Sequence, residues 1–188
     1  MVSGEEKLHD FIHPMLCQIT DKPFDNDEWA FEIKWDGYRG IADLRDHQVK
    51  FYSRNGINFL QKFERISHSL ELQEHDMVLD GEIVAFDTKG KPDFQLLQAI
   101  DENPGAPLVY QVFDLLWLNG YSTESLPYLQ RKELLKKALF ETAHIQYHDH
   151  SIGNGIAFFR TAKSMELEGI VAKKTDSLYH ENFRSPQW

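Results

Sequence analysis

The sequence predicts an α+β fold in which antiparallel β-sheets are flanked by helices. Strand-like segments are scattered along the whole chain, and short turn signals at 88–92 and at Asn119-Gly120 separate several of them. The connections are too hairpin-like for a doubly wound parallel sheet, whose strands need long crossovers. With 188 residues, of which 41% are hydrophobic and 27% charged, the chain can bury one core. We therefore expect a single domain over residues 1–188.

The periodicity of the apolar residues places the individual elements. Strands are predicted at 29–34, 40–45, 49–53, 76–87, 108–118, 145–148 and 169–174. Helices are predicted at 58–72, 94–100, 128–139 and 155–167, the first of them because Phe59, Phe63, Ile66 and Leu70 are spaced three or four apart. The run 108–118 is the most apolar and should be the most buried strand.

Composition limits the class of protein. Cys17 is the only cysteine, so no intrachain disulfide is possible. The first eight residues carry no apolar signal segment, and no run approaches the roughly 18 apolar residues of a membrane span. These features predict a soluble cytoplasmic domain. The net charge of −10 argues against a free-standing DNA-binding domain, which needs a basic face.

The segment 32–39, Glu-Ile-Lys-Trp-Asp-Gly-Tyr-Arg, carries the clearest chemical signal. In a strand, Glu32, Lys34 and Asp36 share one face because side chains alternate. A lysine attacks as the neutral amine, which apolar neighbours and nearby cations favour. The segment therefore predicts a lysine nucleophile that attacks a nucleoside triphosphate. An edge strand with a surface ion pair is the alternative.

This segment resembles the nucleotidyl-lysine motif of the covalent nucleotidyltransferases, the superfamily of polynucleotide ligases and mRNA capping enzymes. Further matches follow in order at 53–56 (Ser-Arg-Asn-Gly), 80–84 (Asp-Gly-Glu-Ile-Val), 112–120 and 168–173 (Glu-Gly-Ile-Val-Ala-Lys). The flanks at 13–16 and 22–25 look most like the ligase domain of bacterial DNA ligase D, an ATP-dependent end-joining ligase. The resemblance implies the nucleotidyltransferase fold of DNA ligases, which is ATP-grasp-like.

The resemblance also implies residue roles. Lys34 would be the nucleophile that forms a lysyl-AMP intermediate from ATP. Nucleotide contacts would come from Glu32, Ile33, Arg39, Arg54, Glu82, Phe113 and Lys173, and Mg²⁺ or Mn²⁺ would bind at Glu82 and Glu168. The residues alone favour a core position for Phe113. They would also place Lys174, rather than Lys173, on the face of Glu168 unless the chain bends at Gly169.

The partners that the resemblance implies are nicked or broken duplex DNA, bound through the full-length protein, a Ku-type end-binding protein and polymerase or nuclease domains. The function would be strand joining in non-homologous end joining by a monomeric fragment. An RNA ligase or mRNA-capping-type nucleotidyltransferase is one alternative, and a non-catalytic binding module is another. Family ligases continue beyond Trp188 with two phosphate-binding lysines and an OB-fold, so we expect a nucleotide pocket and poor nick sealing by these residues alone.

Two further clusters have simpler interpretations. His144, His148 and His150 fall close together with Asp149, but their spacing is irregular for zinc, so partly exposed strand histidines are expected. A helix carries Lys132, Lys136 and Lys137 with Glu133 among them. This pattern is typical of a solvated helical face rather than of a DNA-binding stripe.

Overall fold

The computed structural model describes residues 11–188. Its strands are β1 (Leu16–Cys17), β2 (Asn26–Lys34), β3 (Tyr38–Asp43), β4 (Lys50–Ser53), β5 (Met77–Ala85), β6 (Leu108–Leu118), β7 (Tyr121–Ser122), β8 (Ile145–Tyr147), β9 (Ser151–Gly153), β10 (Gly169–Lys174) and β11 (Arg184–Ser185). Its helices are α1 (Glu64–Leu70), α2 (Phe94–Gln98), α3 (Tyr128–Ala138) and α4 (Gly155–Ser164). None of these helices has the length and apolar character that crossing a membrane requires.

The strands form two main sheets. The larger has the order β4-β3-β5-β6-β7, all antiparallel, with β8 added to β6 in parallel. The smaller has the order β10-β2-β9 and is also antiparallel, and β1 and β11 form a short parallel pair. The predicted architecture of antiparallel sheets flanked by helices is confirmed. The two parallel pairs were not predicted, because each joins segments that are distant in the sequence.

Strands β5 and β6 form the centre of the core. All but one residue in each strand is buried, since both faces of the larger sheet are covered. On one face the core includes Tyr110, Val112 and Leu115, and on the other Leu116 and Trp117. A continuous apolar run is typical of a strand that is covered on both faces, and the predicted strand 108–118 coincides with β6.

A β-bulge in β6 determines the position of Phe113. Asp80 pairs with Asp114, whereas the next residue of β5, Gly81, pairs with Val112. Strand β6 therefore has one residue more than β5 at this point, and that residue is Phe113. Bulges re-aim a side chain next to functional sites, and here the Phe113 ring faces a cleft instead of the core expected from its apolar neighbours.

Two other predictions differ from the structure. The helix predicted at 58–72 is only Glu64–Leu70, because the chain before it still pairs with β4: the amide of Phe59 donates to the carbonyl of Phe51 at 2.8 Å. The short strands β1, β7, β9 and β11 lack a periodic pattern and were not predicted. The expected absence of an apolar signal segment concerns residues 1–8, which lie outside the described residues.

Candidate active site

A cleft of about 160 Å³ lies where β2 and β10 of the smaller sheet face β3, β5 and β6 of the larger one. Its lining comprises Cys17, Glu32, Ile33, Lys34, Trp35, Arg39, Glu82, Phe113, Val171, Lys173 and Trp188. A wider open groove of about 620 Å³ is lined by Phe11, His13, Glu124, Tyr179, His180 and Glu181. None of the described residues that line this groove is a lysine or an arginine. Of these two cavities, the smaller cleft is the one where described cations, carboxylates and aromatic rings converge, and it is therefore the candidate active site.

Lys34 stands at the mouth of this cleft as the last residue of β2. Its side chain is 48% exposed, and its Nζ forms an ion pair with Oε1 of Glu168. The backbone explains the pairing, because Lys34 is opposite Gly169 in the β2–β10 ladder and Glu168 precedes Gly169. The sequence-predicted nucleophile and one predicted metal ligand are thus in direct contact, although they are 134 residues apart.

Packing explains why Gly37, the glycine of the lysine motif, has no side chain. A Cβ on Gly37 would collide with the main-chain carbonyl oxygen of Ile83 in β5. The connection between β2 and β3 therefore passes against β5 with no room for a side chain. This close approach brings the smaller sheet, with Lys34, against the sheet that carries Arg39 and Glu82.

Arg39 is held by a carboxylate that the sequence did not single out. Its guanidinium donates to both oxygens of buried Asp80 at 2.5 and 2.6 Å, and Tyr179 donates its hydroxyl to Asp80 at 2.7 Å. The Arg39 guanidinium also lies 4.5 Å from the centre of the Phe113 ring. Although burial opposes the charge, the bidentate pair with Asp80 raises the pKa of Arg39. Arg39 is thus a fixed cation on the cleft wall.

Glu82 is opposite Arg39 in the β3–β5 ladder. Removal from water raises the pKa of its carboxyl to about 8, although the Arg39 charge partly opposes that shift. Within residues 11–188 its carboxylate has no hydrogen bond or ion pair, and no group of three or more His, Cys, Asp or Glu side chains could hold a metal unaided. Glu82 and Glu168 are hard oxygen donors beside Lys34. Two carboxylates suit Mg²⁺ or Mn²⁺ if substrate phosphates and water complete the coordination.

Glu32 lies at the back of the cleft in a buried charge cluster. Its Oε1 is 2.9 Å from Nζ of Lys132 and accepts the hydroxyl of Tyr128, and its Oε2 is 2.7 Å from Nζ of Lys173. The side chains of Glu32, Lys132 and Lys173 are all 3% exposed or less. Although burial favours the neutral acid, the two ammonium groups hold the pKa of Glu32 well below its usual range. Glu32 is therefore a buried carboxylate that remains charged.

The structure places Lys173, not Lys174, in the cleft. Lys173 Nζ lies over the rings of Phe113 at 4.4 Å and Trp188 at 4.2 Å, whereas Lys174 pairs with Asp176. Strand alternation begins at Gly169, so it does not carry over from Glu168, which precedes the strand. The alternation of side chains therefore shifts at Gly169, which puts Lys173 rather than Lys174 in the cleft.

Two expectations about other residues were wrong. Lys132 is not on a solvated face, since its side chain is buried against Glu32. The sequence does carry a signal for this burial, namely a helical spacing. The buried residues Tyr128, Lys132, Leu135 and Leu139 are spaced four, three and four apart. His148 is not partly exposed but buried. Arg54, in contrast, is exposed in the turn after β4 and does not line the cleft, so the structure does not bring it together with the other predicted residues.

His148 forms hydrogen bonds with the two residues that flank the predicted nucleophile. The indole N–H of Trp35 donates to Nδ1 of His148 at 3.1 Å, so the proton of the neutral ring is on Nε2. This Nε2–H donates to the main-chain carbonyl of Ile33 at 3.1 Å. His148 thus binds the residues on both sides of Lys34, and burial lowers its pKa to about 4.

Acid should therefore destabilise the protein through His148. The His148 ring takes up a proton near pH 6.5 in the unfolded chain but only near pH 4 in the folded chain. Its contribution to the free energy of unfolding is therefore fully present above pH 6.5 and is lost as the pH drops towards 4. The full loss is about 3 kcal/mol. Urea unfolding of the wild type and of His148→Gln at pH 7 and pH 5 measures it. Between pH 7 and pH 5 the free energy of unfolding should fall more for the wild type than for His148→Gln. His68→Gln, at an exposed histidine, should behave like the wild type. Equal losses in the wild type and His148→Gln would contradict the assignment.

The sequence of the chain is similar to those of known proteins. The sequence model of the ATP dependent DNA ligase domain matches residues 14–188. The chain belongs to this family. The chain is 34% identical over 181 residues to the SPbeta prophage-derived DNA ligase-like protein LigB of Bacillus subtilis, covering 95% of this chain and 66% of LigB. It is 36% identical over 180 residues to the multifunctional non-homologous end joining protein LigD of Mycolicibacterium smegmatis, covering 95% of this chain and 23% of LigD.

The fold of this ligase domain agrees with a solved structure. The structure of mycobacterial DNA ligase D complexed with ATP and MES superimposes with a TM-score of 0.81 at 29% identity, covering 94% of this chain and 58% of that one. This chain therefore spans less than two thirds of each of these relatives. The ligase-domain identity confirms the family predicted from the motifs.

Proposed function

We propose that this chain is the adenylation domain of a LigD-like ATP-dependent DNA ligase and that Lys34 carries AMP as a covalent intermediate. The observation that supports it most is the position of Lys34, a half-exposed lysine in contact with Glu168 at the mouth of a cleft lined by Glu32, Arg39, Glu82, Phe113 and Lys173. A mycobacterial relative is described as complexed with ATP, which supports ATP as the nucleotide.

The proposed reaction is a single displacement at phosphorus. The lone pair of neutral Lys34 Nζ forms a bond to the α-phosphorus of ATP, the bond from that phosphorus to the bridging oxygen breaks, and pyrophosphate leaves with the electron pair. Glu168 contacts Nζ and orients it, and the protons that Nζ loses pass to solvent at the mouth of the cleft, where Lys34 is half-exposed. The product is a lysine–AMP phosphoramidate.

The other cleft residues would position the nucleotide. The Phe113 ring offers a face for stacking on the purine, and Glu32, a buried acceptor at the back of the cleft, suits the exocyclic amine of adenine. Ile33 would contribute its main chain beside the base. Arg39 is fixed by Asp80 to reach the ribose, and Lys173 provides a cation for the phosphates. Arg54, outside the cleft, would contact phosphates only after a rearrangement.

A divalent cation, Mg²⁺ or Mn²⁺, would be held by Glu82 and Glu168. When bound, it supplies charge neutralisation and Lewis-acid polarisation at the phosphates. The unpaired, desolvated Glu82 carboxyl group fits this role, because it has oxygen atoms to offer, no partner in the described residues and a proton that a bound cation would displace.

We assign the later steps, AMP transfer to a DNA 5′-phosphate and nick closure, to the longer protein. The named relatives include non-homologous end joining LigD proteins, which supports nicked or broken duplex DNA as the substrate. An end-binding partner of the Ku type is proposed from the motif resemblance alone. This part of the proposal depends on segments beyond the matched 23% of LigD.

Transfer of label from the α-phosphate of the nucleotide to the protein tests the proposed function. We expect labelling with ATP and Mg²⁺ or Mn²⁺, and little without the metal, whereas α-labelled GTP should give at most about one hundredth of that signal. Preferential labelling by GTP would favour a capping-type nucleotidyltransferase. No labelling with either nucleotide would contradict the proposed function.

A further inference from the structure

The buried cluster behind the cleft contains two lysines and one carboxylate; burial lowers the pKa of Lys132, and the Glu32 carboxylate opposes that shift. The ammonium groups of Lys132 and Lys173 both contact the single carboxylate of Glu32. The neighbouring imidazole, that of His148, is neutral in the folded protein near pH 7. A buried ion pair needs only one cation for each carboxylate, and burying a second cation is costly. The additional ammonium group therefore calls for a functional reason.

Lys132 is fixed in place by several elements. Its Nζ is 2.9 Å from Glu32 in β2 and donates to the carbonyl of Phe113 in β6 at 3.4 Å and to the carbonyl of His148. It also lies 4.4 Å from the centre of the Tyr147 ring. The side chain is 1% exposed and does not line the cleft. Lys132 is thus placed to neutralise Glu32 without touching the nucleotide.

Lys173 has fewer fixed partners than Lys132. It is 2.7 Å from Oε2 of Glu32, and its Nζ has no main-chain hydrogen-bond partner in the described residues. Its remaining contacts are with the faces of Phe113, Tyr128 and Trp188. Unlike Lys132, it lines the cleft. Lys173 can therefore leave Glu32 without breaking a main-chain hydrogen bond, provided that another cation stays on that carboxylate.

We propose that Lys132 is a positioning residue that serves as the permanent counter-ion of Glu32 and thereby allows Lys173 to move from Glu32 to the phosphates of ATP. The inference rests on the proposed function and extends it to a residue outside the cleft. Without Lys132, movement of Lys173 would leave a buried carboxylate without a cation, which is strongly unfavourable. Lys173 would then remain on Glu32, and the phosphates would lose a cation.

Lys132→Gln tests this exchange, because the glutamine amide can still donate to a carbonyl but carries no charge. The experiment measures the dissociation constants of ATP and of adenosine by titration calorimetry, with Lys34→Ala present in every protein so that no AMP is transferred. The affinity ratio of ATP to adenosine reports the phosphate contacts alone. Lys132→Gln should lower this ratio about tenfold, and Lys132→Arg should restore most of it. An unchanged ratio would overturn the inference.

Two controls separate the charge of Lys132 from its contribution to packing: a matched lysine variant on the same helix, and the same substitution in a Glu32→Gln protein. Lys136→Gln, one turn further along α3 at an exposed lysine, should leave the ratio unchanged. In a Glu32→Gln background Lys173 has no carboxylate to hold it, so adding Lys132→Gln should not lower the ratio further. This pair of variants decides the question even if Lys132→Gln alone does not fold, because a further loss in the double variant would overturn the inference. Failure of the parent protein to bind ATP would overturn both the inference and the proposed function, whereas an unchanged ratio affects only Lys132.

Discussion

Replacing Lys34 with alanine is expected to abolish the transfer of AMP to the protein. The nucleophilic nitrogen is removed, and no other lysine in the cleft contacts Glu168. The loss should be at least about a thousandfold in the rate of labelling from α-labelled ATP. Lys34→Arg should fail equally, since a guanidinium stays protonated and cannot attack phosphorus.

The structure predicts that this loss is chemical rather than a loss of folding. Lys34 and Glu168 are 48% and 40% exposed, and such pairs contribute only about 0–1 kcal/mol. The free energy of urea unfolding of Lys34→Ala should therefore be close to that of the wild type. Lys174→Ala, which removes a neighbouring lysine of β10 outside the cleft, should label normally. Retained labelling of Lys34→Ala would refute the assignment of the nucleophile.

Replacing Arg131 with methionine is expected to have the largest effect on stability. The fully buried Arg131 guanidinium donates to both oxygens of Asp114, at 2.8 and 2.9 Å, and to the carbonyls of Leu126 and Ser177. The variant leaves the Asp114 carboxylate in the core without its cation, so the free energy of unfolding should fall by about 3–5 kcal/mol. Urea unfolding followed by circular dichroism measures this change.

Two further variants show whether the buried Arg131–Asp114 pair is responsible for this loss of stability. Arg131→Met combined with Asp114→Asn should recover part of the loss, because the uncompensated charge is removed. Lys137→Met breaks an exposed pair with Glu133 on the same helix and should cost less than about 1 kcal/mol. If Arg131→Met were as mild as Lys137→Met, this account of the core would be incorrect.

The sequence predicted those parts of the site that depend on ordered motifs and strand periodicity. Strands β6 and β10 were predicted to the residue, because one is a continuous apolar run and the other begins at a glycine after a helix. The motif matches brought Lys34, Glu168 and Lys173 into one proposed site, and the structure places all three along the β2–β10 pair. Phe113 in the cleft was expected only from the resemblance, since the β-bulge that turns it there has no signal in local periodicity.

What the sequence did not reveal lies in the buried polar contacts. Lysines and histidines are mostly exposed, so Lys132 and His148 were interpreted as surface residues. Their burial depends on partners far away in the chain, Glu32 for Lys132 and Trp35 for His148. The helical spacing of Lys132 with Tyr128 and Leu135 was the only local signal. Asp80, which fixes Arg39, belongs to the motif at 80–84, but no role was predicted for it.

The most direct test of the central claim is a peptide map of the AMP adduct. The wild-type protein is incubated with ATP and Mg²⁺ or Mn²⁺, digested and analysed by tandem mass spectrometry under neutral conditions that preserve the phosphoramidate. We expect AMP on the peptide that contains Lys34, with the modification on that side chain. AMP on Lys173 or another residue, or a protein that remains unmodified, would contradict it.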